Sequence, residues 1–316
     1  MKAALLSLQV AAVVLVALPA SAATPVAELA PAPQVWLVNT RSVPSSGDLD
    51  SRWGHLSFWQ MDPCDGCRWL PADAEAFRRS VDTLMPTAIF VAGYGTGVET
   101  TIEEATRIYC DMQRAACGRP FRLVIWSWPS DRNRRVRLAR DLRAKAFSCD
   151  AEALYLARTL PELPPATPIG LIGYSYGARI VGGAVELLTG GEVAGQRLPA
   201  EVCAGWAAAP RPVRVMFIAA AMDADWLAGG HRCGEVLALV EGVAVTLDDR
   251  DRVLRRYTRL PGRGGPQALG RIGPVGCQGA KLELLDVTCA VGKKHDWKRY
   301  EPAVSDRVAW YTFLAE

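Results

Sequence analysis

The chain has 316 residues, half of them apolar and 22% charged, enough for a sizeable buried core in one α/β domain or two smaller ones. Thirty-six Lys and Arg against 33 Asp and Glu leave a net charge of +3, far from the basic excess of a dedicated nucleic-acid binder, so nucleic acid is not an expected partner. The three histidines, His55, His231 and His295, leave few candidates for a metal ligand or a catalytic base.

Met1 and Lys2 precede an apolar run over 3–19 and then Ala20-Ser21-Ala22. A positive start, a hydrophobic stretch and a small-x-small site predict a secretory signal peptide over 1–22, cut after Ala22. The run is short for a span, no Cys follows the cut and no later segment is apolar enough to cross a bilayer. The mature chain, 23–316, is therefore expected as one soluble domain, periplasmic or extracellular. Nine cysteines suit such an oxidising compartment. Cys64 and Cys67 form a C-x-x-C without the further ligands of a zinc site or a thioredoxin-like setting, and a local disulfide is expected there. The odd total leaves at least one thiol unpaired.

After an Ala/Pro-rich lead over 23–33, alternation predicts strands over 34–39 and 55–61, separated by a polar, turn-rich segment, and a helix over 73–84. A β-rich apolar run over 87–92 ends in Gly93-Tyr94-Gly95-Thr96-Gly97 and leads into a helix over 98–117. A strand over 121–126 ends in Ser127-Trp128-Pro129-Ser130, and an Arg-rich helical stretch covers 132–160 until prolines break it. Further strands fall at 169–173, 213–219, 243–247 and 282–287, with helices at 177–188, 234–240 and 302–314. Strands alternating with helices predict a mostly parallel central sheet with helices on both faces.

Gly173-Tyr174-Ser175-Tyr176-Gly177 matches G-x-S-x-G and lies between an apolar strand and a helix. Small residues on either side permit a tight turn that exposes the Ser175 hydroxyl, while the Tyr176 N–H at the helix start points toward a developing oxyanion. The nucleotide-binding alternative for this glycine-rich turn lacks the phosphate-loop patterns. A serine hydroxyl needs a base and an orienting carboxylate. His295 follows the last strand in a loop-like stretch, whereas His231 precedes the last two strands and His55 precedes the core. For the acid, the loop after 243–247 offers Asp248, Asp249 and Asp251, and Asp223 with Asp225 compete from the preceding strand; Asp251 is the preferred choice.

These residues resemble the α/β-hydrolase superfamily, whose chain order is nucleophile, acid, histidine. More narrowly, the chain is similar to a bacterial group of predicted serine hydrolases, esterase- and lipase-like. The likeness is carried by Asn39-Thr40-Arg41, by 90–96, by Trp126-Ser127-Trp128-Pro129-Ser130, by the Ser175 elbow, and by Asp249-Arg250-Asp251-Arg252-Val253-Leu254, and so spans nearly the whole mature chain. The resemblance implies an α/β-hydrolase fold with a Ser175, Asp251, His295 triad, the acid being the Asp before Arg-x-Leu. It also implies an oxyanion hole from the backbone N–H groups of Tyr94 and Tyr176. One departure is Ala92-Gly93 where the superfamily usually carries His-Gly.

The expected reaction is acyl transfer to water from a small-molecule ester or related acyl substrate, without metal or organic cofactor. Tyr94, Tyr174 and Tyr176 are expected to flank the pocket, and the short connection over 222–233 leaves no room there for a large lid. The arginines at 132, 134, 135, 137, 140 and 143 read as a solvated helix face, with an entrance for an anionic substrate as the alternative. Two other classes share the same features: a catalytically silent binding protein, and an acyltransferase using the same nucleophile.

Overall fold

The apolar runs become neighbouring strands of one sheet. The computed structural model describes residues 33–43, 54–62, 68–81, 85–259 and 265–315, whose elements belong to the unit Pro31–Glu316. The expected signal peptide and the Cys64 and Cys67 pair lie outside the described residues. The other seven cysteines are free thiols.

The strands are β1 (Gln34–Asn39), β2 (Ser57–Asp62), β3 (Arg68–Ala72), β4 (Thr87–Val91), β5 (Arg122–Ser127), β6 (Ile169–Tyr174), β7 (Val213–Ile218), β8 (Gly242–Leu247) and β9 (Leu282–Asp286). They lie in the order β3-β2-β1-β5-β4-β6-β7-β8-β9. The two pairings that involve β2 are antiparallel and the rest are parallel. Every residue of β4, β5 and β6 is buried, which is why these strands read as unbroken apolar runs rather than alternating ones.

The helices are α1 (Ala74–Arg79), α2 (Val98–Ala116), α3 (Leu138–Thr159), α4 (Tyr176–Leu188), α5 (Ala200–Ala208), α6 (Val236–Leu239), α7 (Leu269–Ile272), α8 (Thr288–Val291), α9 (Trp297–Tyr300) and α10 (Ser305–Tyr311). The chain steps from β4 through α2 to β5 in one direction along the sheet. It then steps from β5 through α3 to β6, and through α4 onward to β7, in the other. Right-handed crossovers put helices of opposite steps on opposite faces. In keeping with this, α2 packs with α10 while α3 packs with α4. The reversal leaves a crevice between the carboxyl ends of β4 and β6, the place where open α/β sheets bind ligands. Among the described residues no helix is long and apolar enough to cross a membrane.

The strand β3 and the helix α5 were not anticipated, nor were the single-turn helices α7, α8 and α9. Pro71 argues against a strand, yet β3 forms because it is the outer edge, pairing only with β2. The sequence AEVCAGWAA of α5 has no clear apolar stripe, and only Trp206 is buried. The Arg-rich stretch turns helical at Leu138 rather than at 132, and the predicted closing helix over 302–314 is shorter, α10 alone, with α9 ahead of it.

Candidate active site

Ser175 lies between the last residue of β6 and the first of α4 with φ 54° and ψ −113°, a conformation that L residues adopt at a cost of about 1–3 kcal/mol. The main chain of the next strand holds it there. Its N–H donates to Ile218 O at 2.8 Å, and its carbonyl accepts from Ala221 N–H at 3.2 Å and Ala178 N–H at 3.2 Å. The flanking glycines answer to close approach. A methyl on Gly177 would stand 2.0 Å from Val91 O, and one on Gly93 would stand 2.9 Å from the Ser175 Cβ. Thus the loop after β4 passes directly against the elbow.

The imidazole of His295 bridges Ser175 and Asp251. Its Nε2 is 2.9 Å from Ser175 Oγ and its Nδ1 is 2.7 Å from Asp251 Oδ2. Asp251 follows β8 and is fully buried, with Oδ1 accepting from the N–H groups of Val253 at 2.7 Å and Leu254 at 3.0 Å. The Tyr300 hydroxyl donates to Oδ2 at 2.8 Å. Burial alone would raise the Asp251 carboxyl, but His295, the Leu254 N–H and the Tyr300 hydroxyl outweigh it and hold the group below its ordinary value. An ionised Asp251 requires the proton on Nδ1, which leaves the Nε2 lone pair facing the serine.

His295 is fixed from two sides. Its ring stacks on Tyr174 at 5.5 Å with 22° between planes, and the following Trp297 donates its indole N–H to Glu104 O on α2 at 3.0 Å. Tyr174, expected to flank the pocket, is instead buried behind the imidazole. At the end of β6 it packs against Trp297 at 5.0 Å and does not line the cavity.

None of the competing carboxylates hydrogen-bonds to His295, although Asp248 shares the Tyr300 hydroxyl at 3.4 Å. Asp223 accepts from the Tyr257 hydroxyl at 2.5 Å, and Asp225 meets His231 at 3.3 Å. Asp249 is exposed, and Asp248 accepts from Arg250 N–H at 2.9 Å. His55 is exposed, away from this cluster.

The cavity over Ser175 is about 180 Å³ and is lined by Tyr94, Leu142, Tyr176, Ala221, Leu254 and His295, among others. Tyr176 opens α4, so its N–H is one of the amides without an intrahelical acceptor, at the positive end of the helix dipole. Tyr94 follows Gly93 in the loop pressed against the elbow. Its hydroxyl donates to Asp141 at 2.7 Å, and burial together with that contact pushes the phenol up to about 12. The Ala92 carbonyl, just before this loop, accepts from the Trp128 indole N–H at 2.9 Å.

The Asn-Thr-Arg and Ser-Trp-Pro-Ser segments meet behind this loop. The Arg41 guanidinium donates to Ser127 Oγ at 2.9 Å and Thr96 O at 3.0 Å and pairs with Asp131, and the Gly95 N–H donates to Ser130 O at 2.8 Å. Three strand ends are thereby tied to the segment that carries Tyr94. Tyr300, Trp297 and Tyr257 escaped the sequence reading, since they sit on short helices outside every motif. The aromatic pair two and five residues after His295 was the signal available. Among the described residues no group of three His, Cys, Asp or Glu could hold a metal ion.

Comparison with known proteins finds no matching family model and no matching curated protein.

Proposed function

We propose that this chain is an exported serine hydrolase of the α/β-hydrolase fold, carboxylesterase-like, acting through an acyl-serine intermediate. One observation carries the reading: the unbroken path from Ser175 Oγ through both nitrogens of His295 to a buried Asp251, at the carboxyl ends of the strands. The sheet order, the strained elbow and the resemblance of the surrounding segments support it.

In acylation, Nε2 of His295 takes the Ser175 proton while Oγ bonds to the ester carbonyl carbon. The carbonyl electron pair moves to oxygen, where the N–H groups of Tyr94 and Tyr176 stabilise it. Collapse breaks the bond to the alkoxy group, which leaves with the proton from His295. Water then attacks the acyl-serine, giving its proton to His295, and the acid leaves as Ser175 regains its hydrogen.

Labelling with a fluorophosphonate probe followed by peptide mapping tests this. Modification of Ser175, abolished in Ser175→Ala together with hydrolysis of short-chain 4-nitrophenyl esters, is the expected result. A folded protein that neither labels nor hydrolyses overturns the reading.

A further inference from the structure

Beside the cavity over Ser175 lies a larger chamber of about 460 Å³. Tyr176 and Tyr257 are walls of both, so the two cavities adjoin. The chamber is mainly aromatic and aliphatic, from Phe147, Trp226 and Pro266, but two guanidinium groups, Arg143 and Arg179, also line it.

Arg179 lies on α4 one turn beyond Ser175. Its guanidinium stands over Trp226 at 4.5 Å and over Tyr176 at 5.7 Å, and its Nη1 donates to the Tyr257 hydroxyl at 2.9 Å. The Nε is buried without a hydrogen-bond partner, Nη1 also reaches the Ala221 carbonyl at 3.5 Å, and Asp150, whose charge acts on the group, is itself paired with Arg232. The rings hold this guanidinium in the chamber wall, where a charge-assisted contact with an incoming anion is open to it. The one carboxylate lining the chamber, Asp223, is turned onto the Tyr257 hydroxyl at 2.5 Å.

The lips of the paired cavities repeat the same chemistry. On one side α3 presents Leu138 and Phe147, 47% and 75% exposed, with Arg140 and Arg143 between them. On the other, Val253 is 52% exposed beside Arg252 and Arg256. Apolar surface mixed with guanidinium groups on both lips attracts an anion with a hydrocarbon body.

We propose that the ester cleaved at Ser175 carries a negatively charged group, such as a carboxylate, on the part that extends beyond the serine cavity, and that Arg179 receives this group in the adjoining chamber. The inference rests on the reading of Ser175 as nucleophile and names the substrate class of that site as compact anionic esters. The alternative considered for the arginine stretch, an entrance for an anionic substrate, is thereby extended to a built site one helix away.

Two matched ester pairs test it. One puts the charge on the acyl side, 4-nitrophenyl hydrogen glutarate against its methyl ester; the other puts it on the alcohol side, 4-carboxyphenyl acetate against its methyl ester. In at least one pair the anion is expected to have the higher kcat/KM by about tenfold to a hundredfold. This ratio should shrink in about 0.5 M NaCl and collapse toward unity in Arg179→Gln. The exposed double variant R143Q/R256Q, which carries little folding risk, should lower the same ratio several-fold. Hydrolysis with the neutral ester equal or better in both pairs overturns the anion site while leaving the nucleophile intact. If no ester is cleaved and Ser175 does not label, calorimetry with monomethyl glutarate against dimethyl glutarate still decides the site: binding of the anion alone supports it, and equal or absent binding of both sinks it.

Discussion

The Tyr300 hydroxyl and the His295 imidazole share one oxygen of Asp251, at 2.8 and 2.7 Å. Tyr300 touches no reacting atom and acts as a positioning residue, fixing the carboxylate so that its remaining lone pair points at Nδ1. Hydrogen bonds to a charged acceptor contribute about 1.5–3 kcal/mol. Tyr300→Phe should therefore lower kcat/KM by roughly tenfold to a hundredfold with little change in KM. The Asp251 carboxyl would rise when it loses this donor, so the acidic limb of the pH–rate profile should move to higher pH. An unmoved profile would show that the hydroxyl only fills space.

The positive φ of Ser175 separates catalysis from stability. Ser175→Gly and Ser175→Ala should both be inactive, but only glycine releases the backbone strain. The glycine variant should be the more stable by about 1 kcal/mol in urea denaturation. Equal stabilities would mean that the elbow stores no strain.

Glu104 supplies a pH test that is read on stability rather than on the triad. Burial, then the nearby charges of Glu103 and Asp296, push its carboxyl up to about 8. The folded state thus holds this proton more tightly than the unfolded chain, where a glutamate titrates near about 4.3. Between those values the unfolded state ionises first, so this residue's contribution to stability falls as pH rises and levels off above about 8. Glu104→Gln should match the parent Tm at acidic pH and exceed it increasingly up to about pH 8, with no further gain above it, as read by thermal melts.

Two glycine substitutions should have opposite signs. Gly177→Ala forces a methyl to 2.0 Å from the Val91 carbonyl, between two rigid main chains, and should cost at least the 1–3 kcal/mol typical of overpacking. A methyl on Gly205 in α5 would meet nothing within 4 Å, so Gly205→Ala should stabilise by about 0.5–1 kcal/mol through helix propensity. Chemical denaturation of both variants checks the contrast.

How far the amino-acid sequence foretold this arrangement varies with the physics involved. The buried parallel strands were legible because burial on both faces leaves long apolar runs, as in β4, β5 and β6. The elbow was legible because close packing at Gly177 admits no side chain. The distant partners were placed by chain order, since Asp251 and His295 each follow a late strand. What stayed hidden was set by tertiary context. The edge strand β3 tolerates Pro71 only because one side of it is free, and Tyr300 reaches Asp251 through a helix of four residues that no periodicity announces. The placement of Tyr174, under the imidazole rather than in the cavity, depended on packing against His295 and Trp297, more than a hundred residues away in sequence.

Every clamp on the elbow from β7 and its loop is a peptide group: the carbonyl of Ile218 and the amide of Ala221. Side-chain identity at 221 is therefore uncoupled from the strut it provides, even though the Ala221 methyl forms part of the cavity wall. Substitution there can resize the cavity over Ser175 while the corner that carries the hydroxyl keeps its shape, so the space above the serine and the geometry of the serine can change independently.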